Sequence, residues 1–444
     1  MRQSVFSRNM TSFWNMNARF ILSSILLMIL IIFMFSACTE KSQIKKYEIG
    51  NNIHVYLDEP VVVSMSEVGE KRWGEHQFAK ISTYPGDRIL LRYHLGEDII
   101  SSNVWASPAY ISSDKGDSWK PFTDDGLPHT GMSYSTLSGE FICLPQAEPF
   151  NLKSGNFYLP EKVGEFYLYE WHPFYRLDEC PREVQNFFSH MEVARWSPVF
   201  KKWQKDTIKY DTRDALAWTR SNNEEKHLIP RTRFEHPPLH IGDELLFADY
   251  WTNFLKADGS VPKQIGVTCM VSLDNGHSWT RRSTIALDFK GKDAITEPMI
   301  AENVKGELVC VMRRADQEQK SMIITFSKDK GKTWEQPVGL DQLGKFGVMP
   351  CLVKLECGVM VLSYGRPGLW LSFSLNGTGR EWTDPICLLE SEIANRTSIT
   401  DGYTTMLPIG PNQLLLSYTR FDHKDELGKQ RKAVMVRMLT IEGL

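Results

Sequence analysis

Ser272-Leu273-Asp274-Asn275-Gly276-His277-Ser278-Trp279 has the pattern S-x-D-x-G-x-[ST]-W, which returns at residues 112–119 (SSDKGDSW) and 327–334 (SKDKGKTW). A stretched version, SLNGTGREW, occupies 374–382. Fixed positions that recur in this way mark an internal repeat. Each part has a local use: the Asp and Ser side chains cap backbone N–H groups in a tight turn, Gly takes a positive φ, and Trp packs between neighbouring sheets. The octapeptide is therefore read as a structural staple. The spacing of a calcium loop, D-x-[DN]-x-[DN]-G-x5-E, is absent from it.

A looser repeat surrounds these boxes. Turns at Pro85-Gly86, Ser138-Gly139, Ile241-Gly242, Lys305-Gly306, Cys357-Gly358 and Gly410-Pro411 are each followed by apolar residues, as in Ile89-Leu90-Leu91, Leu245-Leu246-Phe247 and Leu414-Leu415-Leu416. Such runs read as buried strands. The turns recur roughly every fifty residues, enough for the four strands of a propeller blade, apart from one interval about twice as long. That interval holds either one blade with an insertion or two blades. Residues 165–219 show no box and no clear turn-strand repeat, and 178–193 is polar and helix-compatible. The expectation is thus an all-β, six-bladed β-propeller with an insertion in the second or third blade, seven blades being the alternative. Ring closure would pair an N-terminal strand at 53–65 with a C-terminal strand at 432–441, removing exposed edges.

The chain has 444 residues, 42% hydrophobic and 24% charged, which suffices for a substantial core. A net charge of -3 without any long Lys/Arg run argues against a nucleic-acid partner. Aromatic residues make up 11%, a loading that suits both strands and sugar-stacking surfaces. Residues 1–38 differ in character: Arg2, Arg8 and Arg19 precede an apolar stretch at 20–35, the layout of a signal peptide. It ends in Phe35-Ser36-Ala37-Cys38, which resembles the lipobox of bacterial lipoproteins, with Cys38 as the lipidated residue; Phe35 departs from the usual Leu. The other reading is a transmembrane anchor, for which the stretch is short. Residues 39–50 then form a linker to a propeller at 51–444, tethered by lipid to the membrane of a bacterial cell envelope. The remaining cysteines, Cys143, Cys180, Cys269, Cys310, Cys351, Cys357 and Cys387, are odd in number and sit mostly in apolar runs. Buried thiols are expected, with a Cys351–Cys357 bridge as the one pairing entertained.

Boxes of this kind (Asp-boxes) on a six-bladed propeller resemble the bacterial sialidase (neuraminidase) superfamily, across nearly all of residues 50–444. The resemblance implies roles for particular residues. Glu297 in Thr296-Glu297-Pro298 and Arg313 in Val311-Met312-Arg313 look like the family's glutamate and second arginine. Arg366 in Ser363-Tyr364-Gly365-Arg366-Pro367 resembles the third arginine, and Tyr403 in Asp401-Gly402-Tyr403-Thr404 the nucleophilic tyrosine. Asp98 in Gly96-Glu97-Asp98 stands where the family places its acid/base aspartate, with Glu97 a near-equal candidate. These residue types suit one chemistry: forked guanidinium groups bind a planar carboxylate bidentately, and a tyrosine activated by Glu escapes the repulsion that an Asp or Glu nucleophile would meet from that carboxylate.

The departure from the family lies in the first blade. Where an arginine stands within F/Y-R-I-P, this chain reads Trp73-Gly74-Glu75-His76-Gln77-Phe78-Ala79-Lys80-Ile81. Gln77 falls at the arginine's place; either Arg72 reaches the same space or the third position is neutral. Glu235, Tyr250 and Trp251 are further candidates for substrate binding, the aromatics serving as a sugar platform or as core. Trp171, His172, Phe174 and Tyr175 either roof the cleft or pack the insertion down. His236 and His240 lack a third ligand, so neither a metal nor an organic cofactor is implied. The expected function is a retaining exo-glycosidase that removes a terminal acidic sugar from a glycan. Its rivals are a glycosidase using a carboxylate pair, Asp98 with Glu235 or Glu297, and a glycan-binding propeller without catalysis.

Overall fold

The octapeptides fold as their composition dictates. Ser272 Oγ donates to Asp274 Oδ1 and accepts from Gly276 N, both at 2.8 Å, while the Asp274 carboxylate accepts from Ser278 N at 2.8 Å and Ser278 Oγ at 2.5 Å. The copies at 112–119 and 327–334 repeat these bonds. Two successive residues turn left-handed, Asn275 at φ 60° and Gly276 at φ 82°. A Cβ on Gly276 would lie 2.9 Å from Ile142 Cδ1 of a different meander, so close approach as well as φ favours glycine there. The stretched copy substitutes Asn376 for the aspartate and still delivers Gly379 N to Ser374 Oγ at 3.0 Å.

The computed structural model describes residues 44–443 except 51, 99–106, 124–130, 146–149, 156, 169, 220–226, 229–233, 288–293, 316–319, 345–346 and 393–394. The signal-peptide reading at 1–38, the lipidation site Cys38 and linker residues 39–43 lie outside the described residues. Contacts divide the chain at Lys45/Lys46, and the fold is that of the second unit.

That unit is nearly all β. Its inner strands are β1 (Gln77–Tyr84), β2 (Ser133–Ser135), β3 (Leu239–Ile241), β4 (Ala294–Glu302), β5 (Val348–Lys354) and β6 (Thr404–Gly410), each opening an antiparallel meander. From β4 the chain continues through Leu308–Ala315, Ile323–Ser327 and Val338–Gly339; from β5 through Met360–Gly365, Leu369–Ser374 and Ile386–Leu389. β1 packs on β2 and β6, β6 on β5, β5 on β4, and β4 on β3. His240 Nε2 of β3 meets Ser135 O of β2 at 2.9 Å, closing the ring. The architecture is a β-propeller, with the first strand of each sheet lining the axis.

Closure follows the predicted pairing. β6, Gln413–Lys424 and Gln430–Glu442 supply three strands, and Ile53–Leu57 and Val61–Met65 both pair with Gln430–Glu442, with Val55 opposite Ile441 and Val62 opposite Met435. The free edge of the last sheet is thereby covered by the first strands of the domain.

Residues 165–219 depart from expectation. His190–Ser197 and Lys202–Tyr210 complete the sheet begun by β2 and Phe141–Cys143, and Lys202–Tyr210 runs parallel beside Ser278–Ala286, joining two meanders into one eight-stranded sheet. Lys202–Tyr210 (KWQKDTIKY) is an outer strand with a solvated face, and so lacks the apolar run that marks inner strands. Ahead of these strands the chain makes an excursion containing the helix α1 (Arg182–Ser189) and the hairpin Gly164–Leu168/Glu170–Arg176. His172 and Phe174 are buried there, His172 bonding Thr219 O and Leu168 O, so these two pack the excursion and do not roof a cleft. Cys143, Cys180, Cys269, Cys310 and Cys351 are buried thiols; Cys357 is exposed and no Cys351–Cys357 bridge forms.

Candidate functional site

Three inner strands share a backbone device at the same place. The register of β1 breaks between Gln77 and Lys80, that of β4 between Thr296 and Met299, and that of β5 between Val348 and Cys351. At each break a non-glycine residue takes a positive φ: Phe78 at 56°, Glu297 at 48°, Met349 at 41°. A bulge re-aims one side chain out of the pleat, and side chains tolerate that region only where surrounding structure enforces it. Pro298 and Pro350 follow two of these residues and, having no N–H, forfeit no ladder donor.

The bulge in β4 aims Glu297 into a cluster of donors. Its Oε1 accepts from Tyr403 Oη at 2.8 Å and from Arg313 Nη1 at 2.7 Å, and its Oε2 accepts from Met349 N at 2.7 Å. Glu297 is only 7% exposed. Burial and the adjoining Glu297 carboxylate push the Tyr403 phenol well above its ordinary range, against the pull of Arg313 and Arg366. The resting site is therefore a neutral phenol donating to a carboxylate that a guanidinium also holds.

Arg366 is placed by a close crossing of two backbones. A Cβ on Gly365 would fall 2.0 Å from Gly402 O, so only glycine allows the segments carrying Arg366 and Tyr403 to meet. Arg366 Nε and Nη2 donate to Asp401 O at 3.1 and 2.9 Å, and its Cζ stands 5.3 Å from the Trp73 ring and 5.5 Å from the Tyr403 ring. Asp401 is fully buried and ties the site together: its Oδ2 accepts from Phe78 N at 2.8 Å, its Oδ1 from Tyr403 N at 2.9 Å.

Asp98 is exposed on the rim, its Oδ2 accepting from Trp73 Nε1 at 3.3 Å beside the Trp73–Arg366 stack. Glu97 is exposed and close enough to Arg72 to act on its charge. In the first blade Gln77 and Arg72 both find partners of their own. Gln77 is wholly buried, its Oε1 accepting from Gly74 N at 2.9 Å, because the bulge turns Phe78 toward the site and Gln77 beneath it. Arg72, 55% exposed, is held by Glu70 at 2.5 Å, with Glu75 at 3.6 Å. Phe78 is the residue that the bulge sets beside Tyr403, its ring edge-on with centroids 5.0 Å apart.

Glu235, Tyr250 and Trp251 come together as a second group. Glu235 Oε1 accepts from Trp251 Nε1 at 3.2 Å and Tyr250 Oη at 3.5 Å, while its Oε2 meets Lys80 Nζ at 2.9 Å. Sequence reasoning missed Lys80, Phe78, Trp73 and Asp401. Only Asp401 carried a usable signal, standing two residues before Tyr403 with a glycine between.

The Asp401 carboxyl is pushed up by burial, and the two N–H bonds pull the other way. A raised folded pKa means that the native chain keeps this proton at pH values where the unfolded chain has lost it. The Asp401 contribution therefore falls as pH rises from the ordinary carboxylate range through the folded value. Asp401→Asn cannot titrate, and its single acceptor oxygen leaves one of the two N–H groups unpaired, costing about 1–3 kcal/mol. Denaturant unfolding at a series of pH values rising from the ordinary carboxylate range should show the wild-type advantage over this variant shrinking.

No family model matches the chain, and no curated protein matches it. Among solved structures it is similar to a protein of unknown function from Dyadobacter fermentans DSM 18053, with 17% identity, a TM-score of 0.59, and coverage of 87% of this chain and 99% of that one. It is also similar to a Hadza microbial sialidase (15%, TM-score 0.49, 85% and 68% covered). A third is the GH93 alpha-L-arabinofuranosidase of Fusarium graminearum (12%, 0.49, 86% and 97%). The first of these shows a shared fold.

Proposed function

We propose that this chain is a retaining glycoside hydrolase of the sialidase type, which removes a terminal acidic sugar from glycans using Tyr403 as nucleophile. The observation that carries the reading is the Tyr403 Oη–Glu297 Oε1 bond of 2.8 Å, flanked by Arg313 and Arg366. A phenol with its pKa pushed up is a poor nucleophile until a base takes its proton, and Glu297 is the acceptor already in place. Proton transfer to Glu297 accompanies attack of the phenol oxygen on the anomeric carbon, while Asp98 protonates the departing glycosidic oxygen. Water, deprotonated by Asp98, then displaces the tyrosine from the glycosyl-enzyme, and Tyr403 recovers its proton from Glu297. Two successive inversions retain the anomeric configuration. Arg313 and Arg366 supply the positive field for the sugar's carboxylate, a group that would repel an Asp or Glu nucleophile.

In the same reading the propeller has six blades with the excursion inserted in the second. The leader ends in a lipidated Cys38 that ties the enzyme to the cell envelope.

The neutral Phe78 at the first blade favours one rival, a glycosidase acting on a neutral or uronic sugar through Asp98 with Glu235 or Glu297. A panel separates the two: fluorogenic glycosides of sialic acids, of other 2-keto-3-deoxy acids, of hexuronic acids and of neutral pentoses. Release from a keto-acid glycoside above a Tyr403→Phe control, with retained configuration by NMR, is expected. Release only from uronic or neutral glycosides, or none at all, overturns the keto-acid reading.

A further inference from the structure

The Lys80–Glu235 pair is not explained by the fold. Lys80 belongs to β1 and Glu235 to the segment entering β3, and β2 stands between those strands in the ring. The pair therefore bridges past β2, on the side of the ring opposite β5, and joins inner strands that are not adjacent. The side chains are 25% and 11% exposed. Ion pairs this enclosed seldom repay their desolvation, so one that the packing does not need calls for another reason. Beside it, His236 is 7% exposed and neither ring nitrogen has a hydrogen-bond partner among the described residues. Burial and the nearby Lys80 charge lower its pKa to about 3, so the imidazole is neutral throughout the physiological range. An enclosed imidazole with two unmatched nitrogens is a costly arrangement for a packing residue and the ordinary state of a binding residue awaiting its ligand.

We propose that Lys80, Glu235 and His236 form a second polar subsite across the axis from Glu297 and Tyr403, taking vicinal hydroxyls at the end of the sugar opposite its acid group. The chemistry of the three groups selects that ligand. Lys80 offers only donors, Glu235 only acceptors, and a neutral imidazole one of each, which together complement a diol. A second carboxylate is excluded by Glu235. Tyr250, packed in the core, and Trp251, half-buried against it, hold Glu235 in place. Phe78 and Lys80 both belong to β1, so the strand that packs Phe78 against Tyr403 also carries this pair, and one sugar reaches from the one to the other. The sugar would thus be gripped by its acid at the arginines and by its hydroxyls at Lys80, which fixes its orientation along the opening. The inference deepens the reading above and rests on it for the position of the anomeric carbon.

The test is titration of the full chain with N-acetylneuraminic acid, glucuronic acid and galactose, followed calorimetrically, for wild type and for Lys80→Met/Glu235→Gln. The double variant removes both charges at nearly constant volume, which buried pairs tolerate best. If it fails to fold, Lys80→Met alone leaves Glu235 its bonds from Trp251 and Tyr250 and carries the same comparison. Binding of at least one sugar, weakened about tenfold to a hundredfold in the variant, is expected. In hydrolysis the change should fall on KM more than on kcat. Unchanged affinity overturns the subsite and leaves the hydrolase reading standing. Weakened affinity in a protein that hydrolyses none of the glycosides supports the subsite and removes the hydrolase. Absence of binding by all three sugars to wild type overturns the subsite.

Discussion

Tyr403→Phe is expected to lower kcat/KM for an acidic aryl glycoside by at least about a thousandfold, equivalent to about 4 kcal/mol of transition-state stabilisation. The fold should scarcely notice. Only one bond is lost, that to Glu297 Oε1, and the carboxylate keeps Arg313 Nη1 at 2.7 Å and Met349 N at 2.7 Å. The aromatic ring, which packs edge-on against Phe78 at 5.0 Å and faces the Arg366 guanidinium, is unchanged. A stability loss of about 0.5–1.5 kcal/mol follows from one hydrogen bond. Steady-state kinetics and a thermal melt on the same preparation check both halves. An activity within tenfold of wild type would show that the phenol oxygen forms no covalent bond, and the paired-carboxylate mechanism would then take its place.

Much of this site could be anticipated because a propeller converts sequence order into proximity: the opening of every inner strand, and the end of the strand paired with it, lie near the axis, so Glu297, Arg366 and Tyr403 converge although far apart in the chain. The boxes were legible for a related reason, since all their defining bonds fall within eight residues. What escaped reading depends on a single residue of register. In a plain strand Gln77 and Phe78 would face opposite sides, and the bulge decides which one enters the site. Nothing local marks that bulge, because Phe78 is followed by Ala79, whereas Glu297 and Met349 are followed by prolines. The Lys80–Glu235 bridge joins groups 155 residues apart and past β2, beyond any pattern of neighbours. Outer strands such as Lys202–Tyr210 hid because their solvated face erases alternation of apolar residues.

Glu297 carries a different burden from Tyr403, and its substitutions should separate structure from chemistry. Glu297→Ala removes the acceptor of three donors at once: Tyr403 Oη, Arg313 Nη1 and Met349 N. The Arg313 guanidinium loses this carboxylate and two further enclosed donors lose their acceptor, at about 1–3 kcal/mol for each bond left unmade, so this variant should be strongly destabilised as well as inactive. Glu297→Gln keeps the shape and one acceptor oxygen but is no base. Its stability should lie much closer to wild type, while kcat falls by about 10²–10⁴. The backbone adds a further discriminator: at φ 48° a side chain pays a steric penalty that glycine avoids. Glu297→Gly should consequently be about 1 kcal/mol more stable than Glu297→Ala despite its greater unfolded-state freedom, and equally inactive. Chemical denaturation of the three variants beside wild type, with kinetics on the two best folded, reads all of this out. Alanine and glycine variants of equal stability would mean that the bulge imposes no strain at Glu297. A glutamine variant at full rate would remove this carboxylate as the base, leaving the Tyr403 proton without an acceptor in this arrangement.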